Sequence, residues 1–287
     1  MMKNFFVFIS VLLFLSLLSF LILINKDKKI ALVDSLPIYK KELNQFKEVQ
    51  KNCYKNENIS EEEALAMLIR DKLEEAVLKK KYKLSPSFFD LIKKARWIDK
   101  NTKAPEILNC TKKTYSFYKK YYLEDIVKPT LVNPKLHFLF SQDREIHKEE
   151  ITKIEEIMKK VKNNPEILKS FKEYTKATTS KIKEEKIEIG GYTFNVPEDP
   201  FISKVLSKLK KGEIYPNIVE DDYSFKVVRL IDEDKENYYW EGVIIMKKGF
   251  YDWFQNYVKA NIKIKILDKE LKEKFKKRYP DLWWPVE

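Results

Sequence analysis

Two hydrophobic periods divide the chain. Ile202, Val205, Leu206 and Leu209 recur at helical spacing and mark one buried helix face. Lys210-Lys211-Gly212-Glu213 stops that helix, with Gly just past the last periodic residue and Lys in the last turn. Phe225 to Leu230 (FKVVRL) is a short β-branched run and reads as a strand. Nearer the N-terminus, Lys29 to Tyr39 reads as a strand, a turn at Asp34-Ser35, and Pro37 leading into a helix. That helix, Lys40 to about Cys53, carries Leu43, Phe46 and Val49 on one face. Ser60-x-x-Glu63 is a capping box that opens a second helix, whose stripe is Leu65, Leu68, Ile69, Leu73, Ala76 and Val77. Ser85-Pro86 starts another helix, and a Tyr- and Phe-rich one around Thr114 to Val127 ends before Pro129.

Further along, Ile151, Ile154, Ile157, Met158 and Val161 define a long helix, and Pro165 opens one carrying Leu168, Phe171 and Tyr174. Ile187 to Gly191 is extended, Tyr238 to Met246 is aromatic and β-branched, and Phe250 to Ala260 is helical. Ile262, Ile264 and Ile266 alternate with Lys, the period of a strand. At the other end, Phe5 to Ile24 is apolar apart from three serines, about the ~20 residues that span a bilayer core. It ends in no small-x-small cleavage site and no lipidation cysteine follows, so an uncleaved anchor is expected. Lysines flank it on both sides and leave its orientation open.

Composition narrows the function classes. The 287 residues suffice for one or two cored domains, and 44% hydrophobic content excludes disorder. The formal net charge of +12 fits either a solvated lysine-rich surface or attraction to anionic lipid and acidic chains. Arginines are not clustered and no nucleic-acid motif is present, so no nucleic-acid partner is expected. Two histidines and two cysteines without ligand spacing give no metal site, and no Gly-rich phosphate loop or Ser-His-Asp pattern points to a cofactor or a nucleophile.

The order Val196-Pro197, helix, Lys-Lys-Gly-Glu turn and closing strand resembles the end of a parvulin-type peptidyl-prolyl isomerase domain, with a match running from about Lys135 to Ile231. The front half, with Val33-Asp34-Ser35-Leu36-Pro37-Ile38 before the capped helices, resembles the N-terminal region of SurA/PrsA-like foldases. The resemblance implies an α+β chain: a transmembrane anchor (1–25), a mainly helical chaperone lobe (26–133), an inserted parvulin-like sheet with helices (134–231), and a segment (232–287) whose helix and strand return to complete the lobe. Ile262 to Leu267 should then lie beside Ile30 to Val33, with Trp283 and Trp284 packed on the lobe. It also makes Lys135 to Phe140 the domain's first strand and places the body outside the cytoplasm, on the periplasmic side of the inner membrane.

Parvulins use one His on the first strand, a second on the last strand, an Asp or Cys between them, and an apolar proline pocket. Carried onto this sequence, His137 matches the first position, Lys226 replaces the second His, and Ala177 replaces the Asp or Cys. Phe194, Val196, Phe201 and Ile202 are the positions for the peptide pocket. A His-Lys-Ala set cannot keep the hydrogen bonds of a His-His-Asp network, because Lys offers donors only and Ala neither. His137 is therefore expected to be a structural strand residue, and His147 a surface residue at a helix start. Outside the cytoplasm, Cys53 and Cys110 can pair or remain two separate buried thiols. The implied function is a chaperone or foldase that binds unfolded client chains. The alternatives are a working prolyl isomerase and an envelope assembly factor with one dedicated partner.

Overall fold

A computed structural model describes residues 27–115, 119–181, 185–189, 192–196, 200–284 and 286–287. The expected anchor lies outside the described residues, and among these no helix is long and apolar enough to cross a membrane. The strands, in chain order, are β1 (Lys29–Val33), β2 (Leu36–Tyr39), β3 (Tyr174–Ser180), β4 (Glu185–Ile189), β5 (Tyr192–Val196), β6 (Val219–Glu220), β7 (Ser224–Glu233), β8 (Asn237–Met246) and β9 (Ile264–Ile266). With the helices between them they make a mixed α+β chain of two compact units. One unit reaches Leu136 and resumes at Phe254; the other is His137–Trp253.

The first unit is closed by strands from both ends of the sequence. β1 pairs antiparallel with β2 and with β9, in the register Ala31 opposite Ile266 and Val33 opposite Ile264. The alternation of the C-terminal strand is real: Ile262, Ile264 and Ile266 are buried and Lys263 and Lys265 exposed, so the strand must lie with one face on a core. Pro37 sits on the outer strand, where its missing N–H costs no ladder bond. The helix Glu61–Tyr82 begins with the expected reciprocal cap: Ser60 Oγ accepts from Glu63 N–H at 3.1 Å and Glu63 Oε2 accepts from Ser60 N–H at 3.0 Å. All six residues of its stripe are buried. The next helix starts at Phe88, with Ser87 as cap, rather than at Ser85-Pro86. A disulfide joins Cys53 to Cys110, with Cα atoms 5.6 Å apart, and so ties the helix Lys40–Cys53 to the helix Pro105–Thr114. Trp284 is buried, and the Trp283 ring lies 5.9 Å from that of Phe254.

The second unit is built on an antiparallel sheet in the order β3-β8-β7-β6. On one face, Ile151, Ile154, Ile157, Met158 and Val161 of the helix Lys148–Asn163 pack against Phe225, Val227, Val243 and Ile245. On the other face, Ile202 and Leu206 of the helix Pro200–Leu206 pack against Val228, Leu230 and Trp240. The Lys-Lys-Gly-Glu turn is pinned to the closing strand: Gly212, at φ +85°, donates its N–H to Leu230 O at 2.7 Å. β4 and β5 form a separate ribbon.

Three sequence expectations are corrected. Lys135 to Phe140 is not a strand but part of the helix Pro129–Gln142. The buried positions Val132, Leu136 and Phe140 recur every four residues while Phe138 is 54% exposed, so the apolar run serves a helical stripe and only imitates alternation. After Pro165 a single 3-10 turn, Pro165–Ser170, gives way to β3, which takes Tyr174 into the sheet. The domain also does not end at 231, because β8 lies in the middle of its sheet. Strand β8 approaches β7 closely at Gly242, where a Cβ would overlap the Val227 carbonyl oxygen. Gly242→Ala should therefore cost about 1–3 kcal/mol in chemical denaturation, and an unchanged midpoint would show that the strands are not in this register.

Candidate functional site

Strand register decides which side chains share a sheet face. Ala177 on β3 is opposite Trp240 on β8, and Trp240 is opposite Leu230 on β7. Lys226 is four residues from Leu230 along β7, so it stands on that same face, opposite Ile244. Between the two rungs, Gly242 is opposite Val228. The face thus carries Thr175, Ala177 and Thr179 on one outer strand, Trp240, Gly242 and Ile244 down the centre, and Lys226 beyond, with the helix Pro200–Leu206 covering part of it.

Lys226 is buried and its ammonium is ion-paired to Asp221. Burial pushes the Asp221 carboxyl up, but the Lys226 ammonium and the N–H groups of Tyr223 and Ser224, at 2.8 and 2.6 Å, outweigh it and hold the group below the usual carboxylate range. The lysine supports the Asp221–Ser224 turn at the start of its own strand. Trp240 Nε1 donates to Thr179 Oγ1 at 2.9 Å, so the indole is held in place by β3. Ala177 adds no polar atom.

His137 lies outside this array. It is on the helix Pro129–Gln142, half-buried, with its ring stacked on Phe250 at 3.7 Å and edge-on to Tyr251 at 6.4 Å. Burial lowers its pKa, which favours the neutral ring. The strand role expected for it is therefore wrong, and the three positions His137, Ala177 and Lys226 are not brought together on one sheet face. Of the pocket positions, Ile202 is 3% exposed and belongs to the core between helix and sheet. Phe194 and Val196 lie on β5, opposite Ile187 and Glu185 of the separate ribbon, and Phe201 lies on the helix Pro200–Leu206.

With this geometry in hand, comparison with known proteins gives one family. Residues 137–232 match the PPIC-type PPIase (rotamase) domain. This segment is a parvulin-type domain. A solved structure from work on the SurA-like chaperones PEB4 and Cj1289 of Campylobacter jejuni is similar over 83% of this chain and 98% of that one, at 16% identity and a TM-score of 0.26. No curated protein matches the chain. The assignment rests on the domain match. The rotamase match stops five residues short of β8, so the strand at the centre of this rotamase domain comes from beyond the matched segment.

Sequence reading missed Trp240 and Gly242 as members of the site because the run Tyr238 to Met246 was allotted to the returning C-terminal segment. Its nine-residue length and β-branched content were the available signal. His147 was missed in the opposite sense. It is 1% exposed, not on the surface. Its Nε2–H donates to Phe140 O at 3.0 Å, and its Nδ1 faces Lys248 N–H at 3.4 Å, while the ring packs edge-on against Phe140 and Phe225. A neutral imidazole satisfies both contacts; a protonated one has no lone pair for Lys248. Burial depresses its pKa, the Phe140 carbonyl opposing and the Lys247 ammonium adding to the effect.

A folded-state pKa below the unfolded value of about 6.5 means that protons bind the unfolded chain better. The contribution of His147 is then complete above about pH 6.5 and is lost as pH falls below it. Thermal melts from pH 8 to pH 5 should show wild type losing more stability than His147→Asn, and parallel curves would show that His147 is not held neutral.

Proposed function

We propose that this protein is a membrane-anchored, extracytoplasmic chaperone or foldase that holds unfolded or extended client chains, with its rotamase domain retained as a binding or spacing module rather than as a proline isomerase. The observation that carries this reading is the central strand of the rotamase sheet. It places Trp240, Gly242 and Ile244 between Ala177 and Lys226: Ala177, Gly242 and Ile244 carry no polar side-chain group, the Trp240 N–H is given to Thr179 and Lys226 is paired with Asp221. The barrier to isomerisation, about 18–20 kcal/mol, comes from amide resonance. Lowering it calls for oriented donors and acceptors, and on this face the one charged group, Lys226, is engaged by Asp221.

Three features support the chaperone side. The helix Phe88–Asn101 exposes Phe88, Phe89 and Trp97 at 63%, 83% and 55%, an apolar surface suited to extended polypeptide. Its basic residues and the +12 net charge favour encounter with acidic chains, an effect that salt screens. The Cys53–Cys110 disulfide suits an oxidising compartment, and the apolar run Phe5 to Ile24 suits an anchor that holds the body at a membrane.

The test is suppression of aggregation of a chemically unfolded protein by the full chain in detergent micelles. Phe89→Ser combined with Trp97→Ala should abolish most of the suppression, with stability changed by no more than about 0.5 kcal/mol because both sites are exposed. His137→Ala should leave suppression intact. Capture of one stoichiometric partner with no effect on unfolded proteins would overturn the reading in favour of a dedicated assembly factor.

A further inference from the structure

The first unit contains a polar site apart from both the rotamase sheet and the exposed aromatic helix. Lys72 lies on the helix Glu61–Tyr82, four residues from Leu68 and from Ala76, and so within the buried stripe. It is 8% exposed. Its nearest carboxylate oxygens are Glu42 Oε1 at 3.6 Å and Glu124 Oε2 at 3.7 Å, within ion-pair range but beyond a hydrogen bond. The neighbouring lysine differs: Lys128 reaches Glu75 at 2.6 Å and Glu124 at 2.8 Å. One ammonium of the cluster is thus engaged by two short bonds, and the other has no acceptor at hydrogen-bond distance among the described residues. Burial works against the charge on Lys72, but Glu42, Asp125, Glu75 and Glu124 outweigh it and keep its pKa above the ordinary lysine value.

Lys72 lines a cleft of about 190 Å³. Pro37 and the rings of Tyr39 and Tyr121, whose centroids are 6.4 Å apart, form its apolar wall. Lys120 lies over both rings, at 5.4 and 5.8 Å. Charge in the cleft is balanced, with Glu42, Glu75 and Glu124 against Lys72, Lys120 and Lys128. Burial first, and then Glu42, push the Asp125 carboxyl beside them well above the usual carboxylate range.

We propose that this cleft binds a neutral carbonyl group of an extended peptide, main-chain or carboxamide, on the Lys72 ammonium, with an adjacent apolar side chain against Tyr39 and Tyr121. A neutral acceptor fits better than a carboxylate because Glu42 and Glu124 flank the ammonium and repel a third negative charge. The cleft is large enough for about one bulky residue, so it reads a short element of a chain and not a folded surface. The inference rests on the client-binding reading and names a recognition point within it.

The experiment uses the full chain in detergent micelles and a fluorescein-labelled, end-blocked Gly/Ser peptide with one central Phe. Fluorescence anisotropy gives affinity for wild type, Lys72→Met and Lys72→Arg. Loss of a charge-assisted hydrogen bond of about 1.5–3 kcal/mol should weaken binding roughly 10- to 100-fold in Lys72→Met, with partial recovery in Lys72→Arg. In parallel, lysine acetylation of wild type is mapped by mass spectrometry, and the peptide should slow acetylation at Lys72 but not at Lys79. This second readout stands even if Lys72→Met fails to fold.

A peptide with Asp beside the Phe should bind more weakly; tighter binding would overturn the neutral-carbonyl assignment. If wild type binds the parent peptide but Lys72 gains no protection and Lys72→Met binds equally well, the cleft proposal fails while client binding stands. If wild type binds no peptide and suppresses no aggregation, the client-binding reading itself fails.

Discussion

A four-stranded sheet needs a middle strand, and in this chain β8 fills that place. It pairs with β3 along seven residues and with β7 along almost its whole length. Both layers of the second unit depend on it. Val243 and Ile245 face the long helix, while Trp240 and Ile244 face the helix Pro200–Leu206. The segment that the family resemblance cast as the first strand, Lys135 to Phe140, is committed to a helix by its four-residue stripe. The sheet therefore draws its centre from beyond the match, and side chains chosen for packing stand where a polar cluster would have to be built.

This substitution bears on function through hydrogen-bond capacity rather than through fold. The sheet, the covering helices and the Lys-Lys-Gly-Glu turn all remain, so the domain keeps its shape. Among the described residues of the α-covered face, the polar contacts include the Trp240–Thr179 hydrogen bond and the Lys226–Asp221 pair. Lys226 is paired with Asp221, which also accepts from the N–H groups of Tyr223 and Ser224 and so caps the turn at the start of β7. The richest buried polar network among the described residues lies instead in the first unit, around Lys72, Lys128 and four carboxyl groups. Buried ion clusters are a poor source of stability unless every group is paired. The mismatch between Lys128, with two short bonds, and Lys72, with none, is thus the informative feature of that network.

Much of the architecture was legible in the sequence because its signals were local and redundant. The Ser60 box, the stripe Leu65 to Val77 and the Ile262/Ile264/Ile266 alternation each stated both an element and its buried face. The pairing of β1 with β9 across the whole chain followed once the resemblance said that the lobe is discontinuous. The errors arose where a pattern was short. KLHFLF satisfies period two and period four alike over six residues, and only burial decides between them. Tyr174 follows Pro165 at a distance that permits another helical turn, yet the sheet edge claims it. The site was harder to read still. That Ala177 and Lys226 share a face depends on register, and that His147 is buried depends on a contact from Lys248, about a hundred residues away. Lys72 did leave a trace, as a cation inside an otherwise apolar stripe.

The central claim is that the rotamase sheet keeps its fold without its isomerase chemistry. The most direct measurement follows the cis-to-trans relaxation of a proline tetrapeptide with and without the full chain, at concentrations where aggregation suppression is already saturated. The account predicts a relaxation rate equal to the uncatalysed one. A rate that rises in proportion to protein concentration would contradict it, and would require a polar group not yet identified to act on the proline amide.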